Sequence, residues 1–321
     1  MTDTNQVLSW VVGGSGLLGR AVSQEVANRG EEWKPNHPID WSDQEKFVCS
    51  LTEALEQFRL VIDRRNCIWN IYWCAGIGTI GSSASEVESE VRQVAFFAKE
   101  LERRIGPAFN RGVVFYSSSA GGVYGGSVGE LLDERTKTHP NTAYGEMKVQ
   151  CEDLLKELSR KSALRVVIGR ISSIYGVGQR LAKQQGLITV ACLSILKHET
   201  FNVYVPLETT RNYIHVADAA LMIVNLTLKA AILDDVQFVE KLICSEDNLS
   251  VASVIHLISE VYGRRPRMVL VETMTTSTYR RNFSLRSVVH LDTQPRSFLP
   301  PQIGISQIRL DLLKRLADGS A

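Results

Sequence analysis

Val7-Leu8-Ser9-Trp10-Val11-Val12 runs without a break into Gly13-Gly14-Ser15-Gly16-Leu17-Leu18-Gly19, and no other junction constrains the fold as much. The residues before the glycines are almost continuously apolar, as in a parallel strand buried on both faces. Residues 17–29 carry a helical pattern. Strand, glycine turn and helix together open a βαβ unit. Glycines in such a turn let the backbone bend tightly, approach a pyrophosphate and pack helix on strand, while the helix N-terminus presents free N–H groups. Gly13, Ser15, Gly16, Leu17, Leu18 and Gly19 are therefore the candidate dinucleotide-binding positions. The spacing is GxxGxxG rather than GxGxxG, and a purely structural turn is the alternative reading.

Further strands and helices alternate behind this unit. A second strand is expected over Glu32–His37. Its end normally carries an acid for a ribose 2′-hydroxyl, but His37 stands there. Lys34 and His37 suit a 2′-phosphate, or are solvated loop residues. Asp40 is a candidate for the adenine, or else a helix N-cap. A helix over 43–65 leads to a strand over 68–74, whose end, Cys74-Ala75-Gly76, is small enough for a cofactor to lie against. Val87, Val91, Val94, Ala95, Ala98 and Leu101 recur at helical spacing, as core or as half of a dimer interface. The strand over 112–116 delivers Ser117-Ser118-Ser119 to its carboxyl end, where open α/β sheets bind ligands. The strand over 164–169 ends in Arg170-Ile171-Ser172-Ser173-Ile174-Tyr175-Gly176.

Between these last two strands lies Tyr144-Gly145-Glu146-Met147-Lys148. A tyrosine and a lysine four apart on a helix share one face. A phenol alone titrates near ~10, and a nearby ammonium favours its phenolate. The pair is a proton shuttle for a carbinol, provided a hydride acceptor lies beside it.

Beyond residue 177 the alternation loosens. Helices are expected over 187–197, 218–229, 251–262 and 305–316, a strand over 238–244, and a loop over the Thr-, Ser- and Arg-rich stretch 273–287. The fold class read from this order is α/β, a doubly wound parallel sheet with a smaller C-terminal lobe. Residues 1–176 form the dinucleotide-binding domain. Residues 177–321 mainly form the lobe, with about 210–245 returning to the first domain.

Composition removes several classes. Lys plus Arg total 36 and Asp plus Glu 35, a net charge of +1, which is no signature of a nucleic-acid partner. The six cysteines form no CxxC pair and read as buried thiols in a reducing compartment, with no metal site. No run reaches the ~18 apolar residues of a membrane helix, and no signal sequence opens the chain, so a cytoplasmic protein is expected.

From Val7 to about Asp218 the chain resembles the extended short-chain dehydrogenase/reductases, specifically the NAD(P)-dependent epimerase/dehydratase group acting on nucleotide sugars. Gly13-x-x-Gly16-x-x-Gly19 is similar to that family's cofactor turn, Ser117-Ser118-Ser119 through Val123-Tyr124-Gly125 to its active-site strand, and Tyr144-x-x-x-Lys148 to its catalytic pair. Residues 170–176 and 210–218 resemble two further segments. The resemblance implies Tyr144 as acid/base, with Lys148 favouring its phenolate and bonding the nicotinamide ribose. It implies Ser119, with Ser118 in reserve, on the reacting oxygen, and Ser172 among the cofactor contacts. Arg211 and Ser173 would face the substrate's phosphates. It also implies a homodimer through helices spanning about 86–104 and 143–160, a nucleotide-sugar substrate and either NAD or NADP. Four departures qualify it. One extra glycine separates the serines from Tyr124, Ser173 replaces an asparagine, and Asn212 replaces an aspartate. Ala120-Gly121 stands where the 4,6-dehydratases carry Asp-Glu. Epimerase is the first reading, an NADPH-dependent keto-sugar or carbonyl reductase the second, and a non-catalytic dinucleotide-binding protein the third.

Overall fold

The computed structural model describes residues 7–181, 186–233, 236–271, 282–289 and 293–319. In chain order the elements are β1 (Val7–Val12), α1 (Leu17–Arg29), β2 (Glu31–Trp33), α2 (Gln44–Arg65), β3 (Ile68–Trp73), α3 (Ala84–Ile105), β4 (Gly112–Ser119), α4 (Ala120–Val123), β5 (Leu131–Leu132), α5 (Ala143–Lys161), β6 (Arg165–Ile171) and β7 (Ser173–Tyr175). They continue with α6 (Leu187–Lys197), β8 (Thr200–Val203), β9 (Thr210–His215), α7 (Val216–Ile232), β10 (Phe238–Ile243), β11 (Asn248–Ser250), α8 (Val251–Tyr262), β12 (Arg267–Leu270), β13 (Asn282–Leu285) and α9 (Pro301–Ala317).

Six strands form one parallel sheet in the order β10-β6-β4-β3-β1-β2. From β1 the chain moves outward to β2 on one side, then returns to β3 on the other. The switch point therefore lies between β1 and β3, and ligands of such sheets bind outside the carboxyl ends there. Helices cover both faces. On one, α2, α3 and α5 bury an aromatic core that includes Trp10, Phe47, Phe58, Trp69, Trp73 and Phe97. Burying each such ring contributes about 2–3 kcal/mol. On the other, α1 and α7 bury Val22, Val26, Ile223 and Leu226 against Val113, Phe115 and Val167. Local chemistry sets where the covering helices begin. Asp43 caps α2, Ser83 and Glu86 form a capping box on α3, and Thr142 caps α5.

β10 pairs with β6, so the chain returns to the first sheet after leaving it, and α7 lies in the layer with α1. The remaining elements build a second body. β11, β9, β13 and β5 form a smaller sheet, with β7 paired to β9. Helices α6, α8 and α9 bury Ile188, Cys192, Val254, Ile258, Ile305 and Leu312 together.

Strands β5, β7, β8, β9, β11 and β12 are absent from the sequence reading, and two further stretches differ from it. β2 ends at Trp33, not His37, because Pro35 has no N–H to donate to a ladder. The stretch expected as loop contains β13, whose Phe283 and Leu285 are buried in alternation and whose backbone pairs with β9 and β5. Residues 273–281 of that stretch lie outside the described residues. Of the cysteines, Cys151, Cys192 and Cys244 are buried, Cys67 and Cys74 partly so, and Cys49 is exposed, which corrects the expectation that all are buried. Among the described residues no helix is long and apolar enough to cross a membrane, and no group of three or more His, Cys, Asp or Glu could hold a metal ion.

Candidate active site

The glycine turn packs directly against the end of β3. Gly13 has a φ of +85°, and a Cβ there would stand 2.6 Å from the Ala75 nitrogen. A Cβ at Gly19 would stand 2.1 Å from the Gly13 carbonyl oxygen. Neither position tolerates a side chain, and the turn stays tight as a result. The Gly16 N–H donates to the Gly13 carbonyl at 3.0 Å. Helices α2, α3 and α5 carry side-chain caps, whereas no side chain caps α1. The first N–H groups of α1 are thus left to an anion. Ser172, just past β6, adds a buried hydroxyl with no partner among the described residues. A dinucleotide fits this cradle: a bare helix N-terminus for its pyrophosphate, small residues where backbones approach, and a spare polar atom.

Cys74, Ala75 and Gly76 follow β3 at the switch point, with Ala75 buried. Burial pushes the Cys74 thiol up to about 12, so it stays protonated at neutrality. His37 is exposed beyond the end of β2. Asp40 is exposed as well, and its carboxylate accepts from the Ser42 N–H at 2.9 Å. Sequence reasoning missed a second-body contribution to the turn. Arg180 reaches Ser15 Oγ at 3.5 Å, and Arg20 donates to the Gly178 carbonyl. Arg315 of α9 bonds the Gln179 carbonyl at 2.9 Å. A loop of the second body is thereby fastened across the glycine turn.

Tyr144 and Lys148 lie on the first turns of α5, facing the ends of β3 and β4. Lys148 is 4% exposed. Its Nζ donates to Glu90 Oε1 at 3.1 Å, to the Tyr116 hydroxyl at 3.3 Å and to the Ser117 carbonyl at 3.3 Å. It sits 5.6 Å from the centroid of the half-buried Tyr144 ring. Burial alone would lower the lysine's pKa; the phenols of Tyr116 and Tyr144 and the Glu90 carboxylate outweigh it and hold the ammonium well above the usual range. Lys148 therefore stays charged. The Tyr144 ring is held between two glycines, where a Cβ at Gly78 or Gly122 would come within 3.2 or 3.1 Å of it. Ser119 Oγ accepts from the Gly122 N–H at 3.2 Å, which puts this hydroxyl beside the same glycine.

Ser118 is placed differently. It is buried and donates to Glu152 Oε1 at 2.5 Å, on the α5 side of the sheet. Glu152 also pairs with Arg170 at 2.7 Å, and Arg170 donates to the Tyr124 hydroxyl at 2.8 Å. This network lies within the core. Of the two serines, Ser119 is the one whose hydroxyl meets Gly122, the residue against the Tyr144 ring. Ser173 and Arg211 belong to the second sheet, on the neighbouring strands β7 and β9. Arg211 stacks over Phe283 with 6.0 Å between guanidinium carbon and ring centroid, and donates to the Thr210 carbonyl. Asn212 is buried, and its amide donates to the carbonyls of Ser245 and Asp247 at 3.0 and 3.1 Å. An aspartate could not donate there, so this departure has a structural reason.

Comparison with known proteins shows what the chain is similar to in sequence and in fold. The chain is 24% identical over 226 residues to the dTDP-4-dehydro-6-deoxyglucose reductase of Escherichia coli, covering 65% of this chain and 68% of the relative. Among solved structures it is similar in fold to MoeE5 in complex with UDP-glucose and NAD, with a TM-score of 0.73 at 19% identity, covering 98% of this chain and 100% of that one. It is equally similar to RMD from Pseudomonas aeruginosa complexed with NADPH, with a TM-score of 0.74 at 17% identity over 97% and 100% of the two chains. The profile of the NAD dependent epimerase/dehydratase family matches residues 10–239, which take in the glycine turn, Ser119, Tyr144, Lys148 and Arg211. The chain belongs to the NAD dependent epimerase/dehydratase family.

Proposed function

We propose that the protein is a nucleotide-sugar oxidoreductase working at one carbinol carbon, and that its net reaction is epimerisation. One observation carries this reading: a partly exposed tyrosine held beside a buried, charged lysine, with a serine hydroxyl at the same glycine. A bound nicotinamide supplies a hydride acceptor and donor for the carbinol carbon. Tyr144 takes the hydroxyl proton as phenolate and returns it when the keto-sugar, turned to offer its opposite face, is reduced again. Ser119 donates to the same oxygen and fixes its direction. Lys148 stabilises the phenolate through its charge. Gly78 and Gly122 keep the Tyr144 ring from swinging away. Arg211 and Ser173 are the proposed contacts of the substrate's phosphates, in a substrate lobe made mainly of residues 177–321. Dehydration is disfavoured, because Ala120 and Gly121 offer no acid to expel water.

The second reading is a keto-sugar reductase using NADPH, with the same tyrosine as proton donor. The Escherichia coli relative favours it, and so does the second strand. Its Glu32 is engaged by Ser23 and Lys34, and no acid stands at the expected His37. Identifying by mass spectrometry the dinucleotide released from the denatured protein separates the two. Retained NAD with no net consumption during turnover supports the epimerase. An empty site that then consumes NADPH stoichiometrically supports the reductase, and failure to bind either dinucleotide overturns both. A homodimer through α3 and α5 belongs to the same proposal. Light scattering at micromolar concentration tests it, and a monomeric mass would contradict it.

A further inference from the structure

Glu90 belongs to none of the motifs that mark the site, yet three donors converge on its carboxylate. Lys148 Nζ approaches Oε1 at 3.1 Å, and the backbone N–H groups of Gly78 and Ile77 approach Oε2 at 2.9 and 3.3 Å. The side chain is 4% exposed. Those donors come from α5 and from the segment after β3, while Glu90 itself sits on α3. The contacted Gly78 is also the residue against one edge of the Tyr144 ring.

We infer that Glu90 is a positioning residue for the Tyr144–Lys148 pair, fixing the ammonium, holding the Gly78 segment against the tyrosine, and setting how much positive charge the phenol experiences. This role of Glu90 rests on Tyr144 being the acid/base proposed above. An ammonium has three N–H donors, and here Glu90, Tyr116 and the Ser117 carbonyl take all three. Lys148 thus acts on Tyr144 across 5.6 Å through its field rather than through a bond. In a buried setting such a field is strong, and a carboxylate bonded to the ammonium cancels part of it.

The other titratable groups facing this cluster are Tyr116 on β4 and Cys151 on α5, with Glu152 next to Cys151. Burial pushes the Cys151 thiol up to about 11 and the Tyr116 phenol well above 10.0, so neither responds below that pH.

The test is an ultraviolet titration of phenolate in the purified full-length protein. Subtracting the curve of Tyr144→Phe from that of the wild type isolates the Tyr144 phenolate. The same subtraction is made between Glu90→Gln and Glu90→Gln/Tyr144→Phe. Glutamine keeps the shape and the acceptor oxygen and removes only the charge. The midpoint is expected to fall by about one pH unit or more in Glu90→Gln. An unchanged midpoint overturns the inference, since a merely structural carboxylate would alter stability alone. Should Glu90→Gln fail to fold, the comparison is made on Lys148→Met, where adding Glu90→Gln leaves no unpaired buried charge. The midpoint must again fall. The titration involves no turnover. Unimpaired turnover in Tyr144→Phe would overturn the catalytic reading, whereas an unmoved midpoint overturns only the role of Glu90.

Discussion

Lys148 and Glu152 stand one turn apart on α5, and each is half of a buried ion pair. Glu152 meets Arg170 at 2.7 Å, and Ser118, Tyr124 and Glu240 complete the network. Both side chains of that pair are about 5% exposed or less. Lys148 meets Glu90 at 3.1 Å and is as deeply buried. It differs in one further neighbour, the partly exposed ring of Tyr144. Glu240, at the rim of the Arg170 network, is a quarter exposed, but it is tied into ion pairs with Arg170 and Lys156, and the charge there only holds the fold. A buried charge set against an accessible ionisable group can change that group's chemistry. The same helix, four residues apart, provides one of each.

The sharpest way to break this comparison is to remove one cation from each pair. Lys148→Met leaves Glu90 buried and unpaired, and Arg170→Met does the same to Glu152. Either change should cost about 3–5 kcal/mol in denaturant unfolding. Only Lys148→Met should also lower kcat, by about 10²-fold or more, when folded protein is compared with folded protein. Equal loss of turnover in Arg170→Met would erase the distinction.

The serines offer a smaller contrast. Ser119→Ala should lower kcat by about 10²-fold and cost only about 1 kcal/mol for the lost helix cap, if its hydroxyl meets the reacting oxygen as an oxyanion donor does. Ser118→Ala should leave turnover unchanged and cost about 1–3 kcal/mol, because Glu152 loses a buried donor. Reversed effects would mean that the two hydroxyls have been assigned to the wrong sides of the strand. In the second body, Asn212→Asp should destabilise by about 1–3 kcal/mol by facing two carbonyls with an acceptor. Thermal melts of the variant check this.

pH experiments on the Tyr144 site need one correction. His215 caps α7 with its Nδ1 accepting from the Ala217 N–H, and its Nε2 is buried without a partner among the described residues. Burial lowers its pKa from 6.5 to about 4, so the neutral ring is the folded form. The stability from this neutral form is complete above 6.5 and lost progressively as pH falls toward about 4. Melting temperature should decline over that window, and His215→Gln should flatten the decline. Activity losses there are to be read against the melts.

Much of this layout was legible in local sequence. The apolar run before Gly13, the glycines themselves and the Tyr144/Lys148 spacing are each short-range patterns, and they fix the first half of the sheet. What escaped depends on distant contacts. Glu90 sits among Glu86 and Glu88 on α3, and Glu88 pairs on the surface with Arg92 as such residues usually do. Its signal was position: Val87, Glu90, Val94, Phe97 and Leu101 share the buried face of α3, and a carboxylate has no ordinary reason to be there. Arg180 bonds across 165 residues of sequence to Ser15, which no periodicity can announce. β13 spans four residues inside a polar stretch and pairs with β9 and β5, both far from it in sequence. The second strand carries little local signal, since Trp33 is the only large apolar residue between Glu32 and His37, and Pro35 marks where it must already have ended.

The central claim is that Tyr144 moves the proton, and one comparison tests it most directly. Wild type and Tyr144→Phe are assayed against a panel of UDP-, dTDP- and GDP-hexoses and their keto forms with NAD and NADPH, alongside dinucleotide-binding titrations. The account predicts turnover of at least one substrate by the wild type, a loss of about 10²–10⁴-fold in Tyr144→Phe, and unchanged dinucleotide affinity. A Tyr144→Phe enzyme that turns over as fast as the wild type would contradict it.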